Sequence, residues 1–225
     1  MRMAIIADIH SNLQALGSVV SDIQRSEPDI LVCAGDIVGY GANPNECCQV
    51  TKKICTHAVQ GNHDMSVLTG NTFSMNRYAA AAADWTSRNL TDESRRHLTA
   101  LGRESKFMLG RVSVAVHHGS VGNPLEYVYE ENVHDGLLAS AEADILILGH
   151  THVPYVKKLP SGIVVNPGSV GQPRDGDNRA SFAVLDTERK MCEIHRIQYD
   201  IERAYEAIIG AGLPVFLAER LFLGR

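Results

Sequence analysis

The feature that most constrains this chain is a set of short apolar runs that stop abruptly at a glycine or a polar cluster. In the stretch Asp29-Ile-Leu-Val-Cys-Ala-Gly-Asp36 an apolar run halts at a glycine and presents a single carboxylate. Other runs or loops end in the same way on Asp8-Ile9-His10, on Gly61-Asn62-His63-Asp64, on His117-His118-Gly119 and on Gly149-His150-Thr151-His152. Short apolar runs bounded by turn residues read as buried strands. A fold that aligns those strands brings every cluster to one edge.

The order of elements supports that alignment. Residues 3–7 predict a strand, Leu13, Leu16, Val19, Val20 and Ile23 a helix, and residues 30–34 a second strand. Ser11 with Gln14 three residues on reads as its capping box. A βαβ unit makes its strands parallel with a right-handed crossover. Asp8, His10 and Asp36 then lie past the C-terminal ends of their strands, where open α/β sheets hold ligands. Helices are expected over 44–55, around 79–85, over 92–101 and near 132–141. Residues 57–60 read as a short strand and 65–76 as a functional loop. Strands follow at 112–116 and 144–148, and then at 154–159, 163–166, 181–186 and 192–197 with turn residues between them. A helix over 201–209 and a last one over 215–223 close the chain. Mixed α/β followed by consecutive strands predicts two sheets packed face to face with helices outside, in one domain spanning 1–225.

Composition narrows the partners. The charge balance of 21 Lys+Arg against 26 Asp+Glu gives −5, and neither sign forms a block. A polybasic nucleic-acid or membrane surface is therefore not indicated. No run approaches the roughly 20 apolar residues of a membrane span, and the N-terminus lacks the layout of a signal peptide. The expected location is cytoplasmic, with the five cysteines reduced.

His10, His63, His117, His118, His150 and His152 all stand in the clusters, beside Asp8, Asp36 and Asn62. Singly, each has an ordinary structural explanation; five together do not. Imidazole, carboxylate and amide oxygen without thiolate suit two divalent ions, Mn²⁺ first, with Fe, Ni²⁺ or Zn²⁺ as alternatives. A carboxylate has two oxygens, so Asp36 is the expected bridge. Two-metal sites hold their ions roughly 3.5 to 4 Å apart, which clamps a phosphate and activates a water for in-line attack on phosphorus.

Asp8-x-His10, Gly35-Asp36, Gly61-Asn62-His63-Asp64, His118-Gly119 and Gly149-His150-Thr151-His152, in that order, resemble the five motifs of the calcineurin-like metallophosphoesterases. The stretch Asn166-Pro-Gly-Ser-Val-Gly-Gln-Pro-Arg174 continues the likeness toward the small bacterial and archaeal phosphodiesterases of that superfamily. The resemblance implies an α/β fold, a four-layer αββα sandwich of two mixed β-sheets flanked by helices. It implies one metal held by Asp8, His10, Asp36 and His152, and a second by Asp36, Asn62, His118 and His150. It makes His63 the general acid that protonates the leaving oxygen, with Asp64 as a candidate orienting partner. His117, one residue from His118 in an alternating strand, is expected to face away and be structural.

One departure bears on substrate. The protein phosphatases of this superfamily carry Gly-Asp-x-Val-Asp-Arg-Gly, whereas this chain reads Gly35-Asp36-Ile37-Val38-Gly39-Tyr40-Gly41. An Arg clamp suits a dianionic monoester, so its loss tilts the reading toward phosphodiesters. Arg174 is the residue that could restore the charge. Asn62, His63, Arg174 and Tyr40 are the candidate substrate contacts, and Phe73, Asn76, Tyr127 and Tyr129 could add a stacking wall. The partner is then a small phosphate ester. The alternatives are a phosphomonoesterase acting on nucleotides, dinucleoside polyphosphates or phosphoproteins, and a non-catalytic interaction scaffold, against which the intact His63 argues. The apolar segment Ile208, Ile209, Val215, Phe216, Leu217, Leu221 and Phe222 either covers a sheet or, where exposed, offers a homo-oligomer face.

Overall fold

The computed structural model describes residues 1–189 and 191–225. The first sheet runs in the order β10-β9-β1-β2-β3, with β1 at Arg2–Ile6, β2 at Ile30–Cys33, β3 at His57–Ala58, β9 at Ala180–Asp186 and β10 at Met191–Ile197. Strands β1, β2 and β3 are parallel, while β9 pairs antiparallel with both β1 and β10. The second sheet runs β4-β5-β6-β8-β7, with β4 at Glu104–Leu109, β5 at Val112–His117, β6 at Ile145–Ile147, β7 at Tyr155–Leu159 and β8 at Gly162–Asn166. In it β5, β6 and β8 are parallel.

Alternation along the strands explains how the sheets stack. In β1, Met3 and Ile5 face one way and Ala4 and Ile6 the other, and all four are buried. Met3 and Ile5 join Val32, Ala183 and Leu185 against Val114, Val116, Ile145, Ile147 and Val165 of the second sheet. Ala4 and Ile6 pack outward with Phe182 and Val184 against Leu16, Val19 and Ile23 of α1 (Leu13–Ser26) and Cys47 and Cys48 of α2 (Pro44–Ile54). On the far side, Ala115, Leu146 and Val164 meet Leu138 and Ala141 of α6 (Asp135–Ala141). The two mixed sheets with helices outside are the expected sandwich.

Four local expectations change. Asn12, not Ser11, caps α1, its side chain accepting from the Ala15 amide. Residues 65–69 of the expected loop are helix, the end of α3 (Asn62–Thr69), capped by Gly61 and closed by Gly70 at φ 73°. Asn76 caps α4 (Arg77–Asn89) by accepting from the amides of Tyr78 and Ala79, so it belongs to no stacking wall. Strand β4 was not expected; its alternate residues stay accessible at the sheet edge, which hides the apolar signal.

Helix α5 (Asp92–Ala100) follows α4, and the chain ends in α7 (Ile201–Gly210), α8 (Val215–Glu219) and a 3₁₀ turn at Arg220–Leu223. Ile208, Leu217 and Leu221 of this segment are buried against Ala79 and Ala82 of α4 and against Tyr40. Val215, Phe216 and Phe222 remain exposed. No helix among the described residues is long and apolar enough to cross a membrane.

Candidate metal centre

The predicted clusters meet at the C-terminal ends of β1, β2, β3, β5 and β6. The loops after β1 and β2 run side by side, Asp8 N donating to Gly35 O (3.0 Å) and His10 N to Asp36 O (3.0 Å). The backbone there is left-handed: φ is 53° at Asp8, 50° at His10, 53° at Asp36, 55° at Tyr40, 67° at His150 and 60° at His152. Non-glycine residues rarely adopt that conformation, and where surrounding structure holds them in it, function is the usual reason. Here it turns each donor inward from the end of its strand.

Three overlapping groups have ligand atoms within 4.8 Å of one another: Asp8, His10 and His152; His10, Asp36 and His63; and Asp36, His118 and His150. The hydrogen bonds on the outer side of each ring fix its tautomer. Nδ1 of His10 donates to Val38 O (3.2 Å), that of His118 to Ala34 O (2.8 Å) and that of His152 to Gln172 O (2.5 Å). Their Nε2 atoms therefore point inward. His150 is reversed, with Nε2 on Leu125 O (3.3 Å), which leaves Nδ1 for the centre. Such carbonyl partners are the usual outer support of a ligating histidine.

What converges is a set of carboxylate oxygens, an amide oxygen and imidazole nitrogens, with His118 the one ring that Asp36 draws toward the protonated form. His10 Nε2 lies 3.1 Å from His152 Nε2. Asp36 Oδ2 lies 3.6 Å from His10 Nε2 and 3.3 Å from His118 Nε2, and Asp8 Oδ1 lies 3.3 Å from His152 Nε2. Asn62 Oδ1 stands 2.9 Å from His118 Nε2. Asp8 Oδ1 and Asp36 Oδ2 are buried without any hydrogen-bond partner. Lone pairs and bare carboxylate oxygens packed this closely fit a divalent cation.

The expectation that Asp36 uses both oxygens changes here. Oδ1 accepts from His63 N (2.8 Å), so Oδ2 alone faces the two imidazole groups. Asp64 also departs from expectation. Its carboxylate accepts from the amides of Gly61 (2.9 Å), Ile37 (3.3 Å) and Val38 (3.0 Å), capping α3 and pinning the loop that carries Asp36. Among the described residues no hydrogen bond joins it to the His63 ring, whose Nδ1 has no partner at all. Burial and the Asp36 charge push the Asp64 carboxyl up to about 7.

His63 is buried between two rings, Tyr40 at 4.5 Å and His10 at 4.8 Å between centroids. A Cβ on Gly39, whose φ is 97°, would stand 2.6 Å from His63 Nδ1. The glycine that replaces the phosphatase aspartate is thus the space into which the histidine packs. Arg174 reaches this wall: its amide donates to His152 O (3.3 Å), and its Nη2 donates to the Tyr40 hydroxyl (3.2 Å) and to Gln172 Oε1 (3.1 Å). On the opposite rim Tyr127 stacks on His150 at 4.0 Å, with Tyr129 beyond it at 6.2 Å. Phe73 is fully exposed. His117 faces away as expected, its Nε2 3.7 Å from Glu104.

Electrostatics keep most of these rings neutral. Burial holds His10 and His152 well below the ordinary imidazole range, the Arg174 charge adding to the effect at His152. Burial and the nearby His118 bring His150 down to about 4. Burial opposes charge on His118 as well, but Asp36 outweighs it and raises that ring to about 9. The opposing effects on Asp36 resolve the other way: burial pushes it up, and His118 and His63 draw it well below the usual carboxylate range.

The stretch 166–174 supplies support that its sequence alone did not reveal. Asn166 Nδ2 donates to Gly149 O (2.7 Å), Ser169 Oγ to Asp8 O (2.7 Å), and the Gln172 carbonyl holds His152. His150 N donates to Asp8 Oδ2 (3.0 Å), tying the two sheets together at the centre.

Residues 1–190 match the family model of the calcineurin-like phosphoesterase superfamily domain. An uncharacterised protein of Methanocaldococcus jannaschii is 38% identical, the match covering 99% of this chain and 98% of that one. The phosphodiesterase YfcE of Escherichia coli is 24% identical over 84% of this chain and 89% of its own. The crystal structure of a metallophosphoesterase from Sphaerobacter thermophilus superposes with a TM-score of 0.85 at 33% identity, covering 100% of this chain and 99% of that one. Domain, ordered motifs and converging donors agree: the chain belongs to the calcineurin-like phosphoesterase superfamily, as a metal-dependent phosphoric ester hydrolase.

Proposed function

We propose that the chain is a phosphodiesterase working with two divalent ions, Mn²⁺ foremost. The observation that carries the reading is the unpartnered Asp36 Oδ2, facing His10 on one side and His118 on the other. Asp8, His10, Asp36 and His152 would hold one ion, and Asp36, Asn62, His118 and His150 the other. When bound, the pair supplies Lewis acidity toward phosphoryl oxygens and lowers the pKa of water.

The chain's own groups do the rest. His63, with Nδ1 turned toward Gly39, has Nε2 left to deliver a proton to the leaving oxygen. Burial lowers its pKa in the free protein. An arriving phosphate anion acts in the opposite sense and favours the protonated ring. Tyr40 walls that ring and, through its hydroxyl, orients Arg174 toward the non-bridging phosphate oxygens. Tyr127 is exposed on the opposite rim, where a second ester group would meet its ring, and the named activity of the Escherichia coli relative points the same way.

The substrate is a small phosphate ester. Metal-free protein should gain hydrolysis of bis(p-nitrophenyl) phosphate on adding Mn²⁺ or Ni²⁺, at a higher kcat/KM than for p-nitrophenyl phosphate. A faster monoester would make Arg174 the functional equivalent of the missing phosphatase arginine. No hydrolysis of either ester with any divalent ion would overturn the reading.

A further inference from the structure

Arg174 enters the site from a short loop, and the clamp on that loop lies outside the metal centre. Residues 174–179 connect the stretch that supports His152 to β9. Two tight turns fold the loop on itself, Asp175 Oδ1 accepting from Asp177 N (3.4 Å) and Asp177 Oδ1 from Arg179 N (3.0 Å). Neither turn fixes it against the rest of the fold. Arg196 of β10, opposite Ser181 of β9, does so with a guanidinium that spans the loop. Its Nη2 donates to Asp175 Oδ2 and its Nη1 to Arg179 O (3.3 Å), while Nε lies 4.0 Å from Asp177 Oδ2. The side chains of Arg196 and Asp175 are 14% and 19% exposed, so water and salt screen this pair far less than an ordinary surface ion pair. On the C-terminal segment, Gly224 O accepts from Gly176 N (3.0 Å) and Phe222 O from Asn178 Nδ2 (3.1 Å).

The clamp bears on Arg174 in two ways. Asp175 follows Arg174 directly, so holding its carboxylate fixes the backbone from which the Arg174 side chain leaves, the other anchor being the Arg174 amide on His152 O. A free carboxylate one residue away would also compete for the Arg174 guanidinium. With Asp175 taken by Arg196 and Asp177 by Arg179 (2.6 Å), the side-chain partners left to Arg174 are the Tyr40 hydroxyl and Gln172 Oε1, both neutral. Its Nε is buried without a partner. A guanidinium with a buried free donor and no carboxylate to neutralise it suits an incoming phosphate.

We propose that Arg196 is a positioning residue for anion binding: by holding Asp175 it sets the loop that carries Arg174 and keeps the Arg174 guanidinium available to the substrate phosphate. The inference rests on Arg174 being a phosphate contact in the hydrolytic reading. The polar contacts of Arg196 are all with this loop, so its effect reaches the site only by way of Arg174.

The test is a double-mutant cycle on metal-loaded protein, read by calorimetric binding of inorganic phosphate and by kcat and KM for bis(p-nitrophenyl) phosphate. Arg174→Ala should weaken phosphate about tenfold. Arg196→Ala should weaken it about three- to tenfold and raise KM by more than it lowers kcat. The double variant should bind no more weakly than Arg174→Ala alone, because either route loses the same guanidinium contact. Arg196→Lys keeps the charge and the stem but not the fork; it should recover part of the affinity, and it keeps the cycle readable where the alanine variant fails to fold. Losses that add in the double variant, or unchanged phosphate affinity in both Arg196 variants, overturn the positioning role. A wild type that cleaves no ester would sink the hydrolytic reading, and the phosphate cycle would still decide the role of Arg196. Equal phosphate affinity in wild type and Arg174→Ala removes Arg174 as a contact, and the inference with it.

Discussion

The two walls of the metal centre are built differently. The inner wall, made by the loops after β1 and β2 with the start of α3, is buried, left-handed at its ligands and tied by amides to Asp64 and to its own neighbouring strand. The outer rim, the segment from Leu125 to Tyr129 after β5, holds His150 through a single carbonyl and a stacked ring, with Tyr127 48% exposed. A wall held at every amide sets where charges sit. A rim that meets the ligands only through His150 can shape what enters without moving them.

The sharpest attempt to break that contrast is Asp36→Asn. Its oxygen can satisfy either His63 N or the cation-facing position, and the amide nitrogen then opposes a donor or fails as a ligand. We expect loss of bound metal by elemental analysis and a fall of at least about 10³-fold in kcat, since a catalytic ion contributes several kcal/mol. His63→Asn should keep its metal and lose roughly 10²- to 10⁴-fold, the scale of general acid catalysis; near-normal turnover would remove His63 from the mechanism. Gly39→Ala combines a disfavoured φ of 97° with a methyl 2.6 Å from His63 Nδ1. It should unfold about 1–3 kcal/mol more easily, and displacing the ring should cut kcat by more than it raises KM. On the rim, Tyr127→Ala removes one stacked ring worth about 0.5–1.5 kcal/mol. It should change KM a few-fold with metal content intact. A rim substitution that empties the metal centre, or an inner one that does not disturb it, would dissolve the distinction.

The inner wall was also the part most legible in the sequence. Each ligand adjoins a buried strand and each cluster includes a residue type with few structural roles at that place, so motif order and strand order gave the same answer. The roles of neighbouring residues were less legible because they depend on direction. Asp64 follows His63 directly, yet it points back to the amides of Ile37 and Val38 because it is the third residue of a helix. That helix itself was hidden by glycine, asparagine and threonine, which read as loop. Ser11 and Asn12 both look like caps, and only the left-handed turn at Ser11 (φ 55°) decides in favour of Asn12. Arg196 gave no signal, since its reach to Asp175 comes from β10 lying beside β9, the strand into which the 174–179 loop leads.

The left-handed backbone at Asp8, His10, Asp36, His150 and His152 reaches beyond catalysis. Each such residue costs about 1–3 kcal/mol, and the folded chain carries that cost whether or not ions are bound. Ions that bind only the folded form shift folding by mass action, about 2.7 kcal/mol at a hundredfold excess over Kd. Chelation should therefore lower the melting temperature, and added divalent ion should keep raising it after the centre is full. The divalent-ion level of the surroundings thereby becomes a variable in the chain's folding equilibrium.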